Sequence, residues 1–326
     1  FYVYRMGFVD GTGTERRMLG VVGALGVSDP GNGAVLPHER TMPKPRSDRL
    51  NLLRAVAANL DPVWCLTLSG GLSALLEPAG VPAASCVDED GVRHCLFPVA
   101  DEAVASRIAA VVASAPAVIA DGHHRYETAL AYRDEQRATR GGDAGDAEFI
   151  MALVVELAED QLWVQAIHRL LGEGGAGLRD RVAPYASVTA AGNNSPEGVR
   201  SLLRTMDQEG CLGLADRDGL WLMTPDAEVL APDLEQLAGP VRDVDATVAD
   251  VILAATDTPA PEEYPYDPVE AATAVAKRGA GAAVLLRPPS IAQIAAVAHA
   301  GERMPEKTTF FRPKPLTGLV FRALEG

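Results

Sequence analysis

Five consecutive residues, Asp121-Gly122-His123-His124-Arg125, gather a carboxylate, a glycine, two imidazoles and a guanidinium. Ala117 to Ala120 before them is a short apolar run, and Asp-Gly is a turn dipeptide. After them Tyr126, Ala129 and Leu130 recur at i, i+3 and i+4, one face of a helix. The stretch therefore reads as strand, tight turn, helix. His123, His124 and Arg125 fall in the first helical turn, at the positive end of the macrodipole, where cations are disfavoured. Such a cluster makes sense beside an anion. Phosphate is the usual one, held by backbone N–H groups and a guanidinium fork. The competing reading is a solvated helix start with local hydrogen bonds, Asp121 serving only the turn.

Three further groups carry possible chemistry. His38-Glu39-Arg40-Thr41 lies in a proline-flanked, extended segment. A carboxylate between His and Arg suits a general base for a hydroxyl, and an exposed loop with a surface ion pair is the alternative. Met304 to Thr317 offers Lys307, Arg312 and Lys314, with Thr308 and Thr309 as hydroxyl donors, and is stiffened by Pro305, Pro313 and Pro315. It lacks the glycines of a P-loop, so it reads either as a rigid phosphate clamp or as a terminal strand with basic flanks. His168-Arg169 directly follows an apolar run, at a strand end, as substrate contacts or as a buried structural pair. No His or Cys spacing of the HxxxH or CxxC kind occurs, so no protein metal site is expected.

The elements that must position these groups follow from patterning. Tyr2 to Val9 and Met18 to Leu25, with Asp10 to Gly13 between them, predict a hairpin. Ser47 opens a helix with Leu50, Leu53 and Val56 on one face, stopped by Asp61-Pro62. Val63 to Leu68 is strand-like, Asp88 to Gly91 a second hairpin turn, and Asp101 to Ala113 helical. Phe149 to Leu157 and Leu162 to Ile167 read as buried strands. Gly172 to Gly177 reads as a linker, placing a boundary between a first domain, 1–172, and a second, 173–326, whose C-terminal loop returns toward the site. Helices and strands alternate beyond it. The fold class is α/β, mixed with α+β, in two parts.

The chain has 326 residues, 29 Lys and Arg against 44 Asp and Glu, and a net charge of −15. That balance argues against a nucleic-acid partner. No apolar run approaches membrane-spanning length. The four cysteines, Cys65, Cys86, Cys95 and Cys211, are expected to be buried free thiols of a cytoplasmic protein. Nothing fixes an oligomeric state.

HERT, DGHHRYET and MPEKTTFF-PKP-TGL resemble, in order and over nearly the whole chain, the bacterial domain of unknown function 1015 family. Members of that family usually carry an upstream segment, which this chain, starting at Phe1, is expected to lack. DGHHRYET also resembles the phosphate-binding signature of the partition-protein B (ParB) and sulfiredoxin superfamily. That resemblance implies a ParB/sulfiredoxin-like nucleotide-binding core in the first domain. Within the superfamily the free serine kinases share DGHHR, here Asp121 to Arg125. They also share PHE, here Pro37-His38-Glu39, whose glutamate is the implied base. Sulfiredoxin's cysteine is replaced by His123, which argues against reductase chemistry. The partition proteins' helix-turn-helix has no recognisable counterpart.

The resemblance implies a nucleotide-dependent phosphotransferase, a kinase acting on a small-molecule hydroxyl such as that of the amino acid serine. Catalytic roles fall to Glu39, His124 and Arg125. The nucleotide, ATP or ADP, would be held by Asp121, Gly122, His123, His124, Arg125, Lys307, Thr308 and Thr309. His38, Arg40, His168 and Arg169 would contact the acceptor, and Mg2+ bridging the phosphates would have Asp121 as its best protein contact. The alternatives are a module that binds or slowly hydrolyses nucleotide without an acceptor, and a scaffold with a vestigial anion site.

Overall fold

The computed structural model describes residues 1–29, 31–39, 47–77 and 80–324. The fold is mixed α/β, as the patterning predicts, and divides into two compact units, Phe1–Trp163 with Phe311–Gly326, and Val164–Phe310.

The first unit is built on one eight-stranded sheet. In chain order its elements are β1 (Tyr2–Val9), β2 (Glu15–Gly26), β3 (Val35–Pro37), α1 (Ser47–Val56), β4 (Ala58–Asn59), β5 (Val63–Thr67) and α2 (Leu72–Leu75). There follow β6 (Ala84–Val87), β7 (Arg93–Pro98), α3 (Glu102–Ala113), β8 (Ala117–Asp121), α4 (His123–Arg140) and β9 (Phe149–Glu156). The strand order is β3-β8-β5-β9-β2-β1-β7-β6. The β1–β2 hairpin forms as expected, paired from Tyr2↔Val22 to Val9↔Glu15. Asp10 holds its turn, accepting from the Thr12 and Thr14 amides at 2.9 and 3.1 Å.

Helix α1 ends earlier than the Asp61-Pro62 stop predicts. Ala57 turns to φ 46°, outside the right-handed region, and the chain enters β4, which pairs with Arg322–Ala323. β8 reads as a continuous apolar run because it is interior, with β3 on one side and β5 on the other. One face of the sheet packs Val63, Cys65, Ile119 and Val154 against Tyr126 and Ala129 of α4. This is the i, i+3 stripe seen in the sequence.

The second unit carries a five-stranded sheet in the order Arg169–Leu171, Ala282–Leu285, Leu212–Asp216, Gly219–Pro225, Ala186–Gly192. Each neighbouring pair is antiparallel. Helices Pro196–Glu209 and Pro268–Arg278 supply Leu202, Met206, Ala271 and Val275 to its core. The glycine run expected as a linker lies inside this unit and serves close packing. A Cβ on Gly175 would sit 2.6 Å from the Leu171 Cβ and 2.9 Å from the Ala282 amide nitrogen, and one on Gly172 would collide with Glu262. Of the four cysteines, Cys65, Cys95 and Cys211 are buried free thiols. Cys86, in β6, is exposed, contrary to the expectation. No helix among the described residues is long and apolar enough to cross a membrane.

Candidate functional site

Strand direction assembles the site. β3 runs parallel to β8, with Pro37 opposite Ile119, so the residues leaving β3 emerge at the same sheet edge as the residues leaving β8. β5 runs antiparallel to β8 with Trp64 opposite Asp121, so the segment entering β5 starts at that edge too. The register slips between Trp64 and Cys65, where β8 carries an extra residue, Ala120. Such a bulge re-aims the side chain beyond it, here Asp121. His38-Glu39, Asp61-Pro62 and Asp121 to Arg125 are thus brought together although up to about ninety residues separate them.

Gly122 is the N-cap of α4 at φ 93°, and no described side chain caps the helix. A Cβ at Gly122 would lie 3.0 Å from the Arg125 Nε and 3.1 Å from its Cζ. The glycine therefore serves both the left-handed turn and the close approach of the guanidinium.

Arg125 makes three hydrogen bonds from its two terminal nitrogens. It donates from NH1 to Asp61 and to the Pro62 carbonyl oxygen, and from NH2 to the Asp121 Oδ2 at 2.8 Å. The other Asp121 oxygen accepts from the Lys314 ammonium at 2.9 Å. Burial alone would raise the Asp121 carboxyl, but Lys314 and then Arg125 outweigh it and hold its pKa below the usual carboxylate range. The Thr317 hydroxyl lies 3.2 Å from the Asp61 Oδ1. The Lys314 Nζ is 5.9 Å from the centre of the Trp64 ring, which packs 5.7 Å from Phe311.

The histidines behave differently from one another. His38 is buried, donates from Nδ1 to the Ile119 carbonyl oxygen, and places Nε2 3.5 Å from the Glu39 Oε2. Because a carbonyl can only accept, this bond fixes the proton on Nδ1. His123 packs against His38, ring centres 5.2 Å apart. Burial, and then the neighbouring His38, push its pKa down to about 4, so at neutral pH it is an uncharged imidazole. Its Nε2 is buried without a hydrogen-bond partner among the described residues, as is the indole N–H of Trp64. The His124 Nδ1 is 3.5 Å from Glu127, one turn along α4.

The helix start thus holds less net positive charge than its sequence suggests. His123 is neutral, and two carboxylates compensate Arg125 and Lys314. What it presents are uncapped amides, an orphaned imidazole nitrogen and two cations clamped on one carboxylate.

The remaining sequence-predicted residues belong to the second unit or fall outside the described residues. Arg40 falls outside the described residues. His168, Arg169, Lys307, Thr308 and Thr309 belong to the second unit. There Arg169, buried, donates to the carbonyl oxygens of Ile167 and Lys307 at 3.0 and 2.6 Å, to that of Glu306 at 3.2 Å, and to Asp250 at 3.2 Å. The His168 Nδ1 accepts from the Leu286 amide at 3.1 Å. Both are committed to holding backbone. Lys307 has φ 56°, a rare conformation for a residue with a Cβ, and Thr308 donates to the Pro305 carbonyl oxygen at 2.8 Å.

Sequence reasoning missed Asp61 and Trp64, and gave Lys314 no partner. The PKP within the third motif was the available signal for Lys314, while Asp61 was hidden by its second use as a helix stop. No group of three or more His, Cys, Asp or Glu among the described residues could hold a metal ion.

The chain belongs to the family described as protein of unknown function (DUF1015), whose model matches residues 1–247. No curated protein matches it. Among solved structures it is similar to a conserved hypothetical protein from Pyrococcus furiosus, at 12% identity and a TM-score of 0.45, covering 94% of this chain and 95% of that one. It is also similar to a free serine kinase in complex with AMP, at 14% identity and a TM-score of 0.44, covering 90% and 86%. SbnI from Staphylococcus aureus, with a C-terminal truncation, is similar at 12% identity and a TM-score of 0.43, covering 93% and 87%.

Proposed function

We propose that the first unit is the ParB/sulfiredoxin-like core of a nucleotide-dependent phosphotransferase acting on a small-molecule hydroxyl. The observation that carries this reading is the uncapped start of α4 behind a left-handed Gly122, beside the unpartnered His123 Nε2. Amides aimed outward from a helix N-terminus bind phosphate oxygens, and a neutral imidazole N–H adds a donor without adding charge. Arg125 and Lys314 are held in place by Asp121 and exchange that carboxylate for phosphate oxygens as the nucleotide seats.

Glu39 accepts the proton of the acceptor hydroxyl. The hydroxyl oxygen then bonds to the terminal phosphorus, and the P–O bond to the remaining nucleotide breaks, its electron pair leaving with that nucleotide. The Glu39 carboxylate lies beside the His38 ring, which the Ile119 carbonyl oxygen holds in place. An Mg2+ ion would arrive with the nucleotide. Asp121 would be free to hold it only on release of Arg125 or Lys314, since each now occupies one of its oxygens.

The test mixes the protein with ATP or ADP, Mg2+ and a pool of hydroxylated amino acids including serine, and seeks a phosphorylated product by 31P NMR. Glu39→Gln is expected to lower turnover by about a hundredfold or more while leaving nucleotide binding nearly intact. Full turnover in that variant refutes the role of Glu39. One observation favours a second reading, a module that binds nucleotide without an acceptor. Both terminal nitrogens of Arg125 already bond to internal acceptors, as in a static site. A nucleotide-dependent rise in melting temperature with no phosphorylated product selects it.

A further inference from the structure

Within the first unit a cavity of about 210 Å³ lies among Phe8 and Val9 at the end of β1, Asp90 to Val92 in the β6–β7 turn, Trp163, and Arg312-Pro313. Nothing in the proposed phosphotransfer uses it. A dry cavity of about 150 Å³ suffices for benzene, so this one is sized for a single substituted ring.

Its walls are chemically sorted. Phe8 and Trp163 form an aromatic face, ring planes 19° apart and centres 6.1 Å apart. Gly11 makes room for that indole, since a Cβ there would lie 3.1 Å from the Trp163 Cζ2. Val92 and Pro313 add apolar edges. Arg312 is the one cation of the lining, its guanidinium carbon 6.0 Å from the Trp163 ring centre. It donates to the Asp90 Oδ2 at 3.0 Å, and Asp90 is 69% exposed. A pair that exposed is held weakly. A carboxylate presented from inside the cavity, bonded to the same guanidinium with less water around it, is the better partner.

We propose that this cavity is a binding site for a small aromatic carboxylate, its ring against Phe8 and Trp163 and its carboxylate replacing Asp90 on Arg312. The ligand would touch the same short segment that carries Lys314 to Asp121, two residues beyond Arg312. That places the cavity where its occupancy bears on the candidate phosphate site.

Benzoate is the probe and benzyl alcohol its uncharged counterpart. The full chain is labelled with 5-fluorotryptophan. Its three 19F resonances, from Trp64, Trp163 and Trp221, are assigned by the Trp163→Phe variant. Benzoate is expected to shift the Trp163 signal saturably with a midpoint near ~1 mM, and benzyl alcohol about tenfold more weakly. Arg312→Gln should weaken benzoate about tenfold and leave benzyl alcohol unchanged. Asp90→Asn removes the competing carboxylate and should tighten benzoate severalfold, so the proposal stays testable if Arg312→Gln folds poorly. It is overturned by no saturable shift at Trp163, by equal binding of the two probes, or by an Asp90→Asn variant that binds benzoate no better.

Discussion

The two ends of α4 offer a controlled test of what Gly122 does. Gly122 and Gly141 flank the same helix, at φ 93° and 77°, and both are left-handed. A Cβ at Gly141 meets nothing within 4 Å, whereas one at Gly122 meets the Arg125 guanidinium at 3.0 to 3.1 Å. Gly141→Ala therefore reports conformational strain alone, about 1 kcal/mol. Gly122→Ala adds displacement of Arg125 from Asp61 and Asp121. Those side chains are 24%, 29% and 38% exposed, so each pair lies near the upper end of the screened range and the two together contribute about 1–2 kcal/mol. The expected loss is about 1 kcal/mol for Gly141→Ala and 2–3 kcal/mol for Gly122→Ala. Urea unfolding followed by Trp64 and Trp163 fluorescence in a Trp221→Phe background reads the first unit. Because the extra loss is electrostatic, the gap between the variants should narrow in about 1 M salt. Equal losses, or a gap indifferent to salt, would refute the view that Gly122 is kept for Arg125.

Asp10 accepts from Thr12, Thr14 and Arg16, which together outweigh its burial and hold its carboxyl below the usual range. Its contribution is therefore present above about pH 4 and lost as the pH falls through the lower folded value. Asp10→Ala should cost about 2–4 kcal/mol at pH 7 and much less at pH 2–3, read by urea titration at each pH. His168 and His123 both have pKa values lowered to about 4, chiefly by burial. Each stabilises the fold fully above about pH 6.5, and that contribution declines as the pH falls toward 4. A His168→Gln variant should lose part of the acid slope in equilibrium unfolding. Histidine NMR titration should place His123 well below the free-imidazole midpoint, and a midpoint near 6.5 would refute the effect of burial on that ring.

The β8–α4 junction was legible because its signals are local: an apolar run, Asp-Gly, then a change of period at Tyr126. The convergence of Glu39 and Asp61 on that junction was not, since it depends on β3 pairing parallel and β5 antiparallel with one strand. No local pattern encodes those directions. Charge was the harder quantity. Arg125 and His123 read as a cation cluster in one dimension. Only the fold shows Asp61 neutralising the first and burial discharging the second. The run Gly172 to Gly177 illustrates a different ambiguity. Glycine marks a flexible joint or a place where other chain must come within van der Waals distance, and composition does not separate the two. Cys86 escaped because β6 is an edge strand whose described residues are all exposed.

Residues 311–324 complete the first unit, yet they are translated only after all of Val164–Phe310. The ribosome therefore releases a first unit lacking Lys314 on Asp121, Thr317 on Asp61, Phe311 against His38 and the strand beside β4. Folding of the candidate site must wait for the inserted unit to be made, and a loop of some 150 residues must close before the last contacts form. An expression fragment cut near residue 163 would keep the DGHHR residues and still lack the Lys314 contact that their geometry includes.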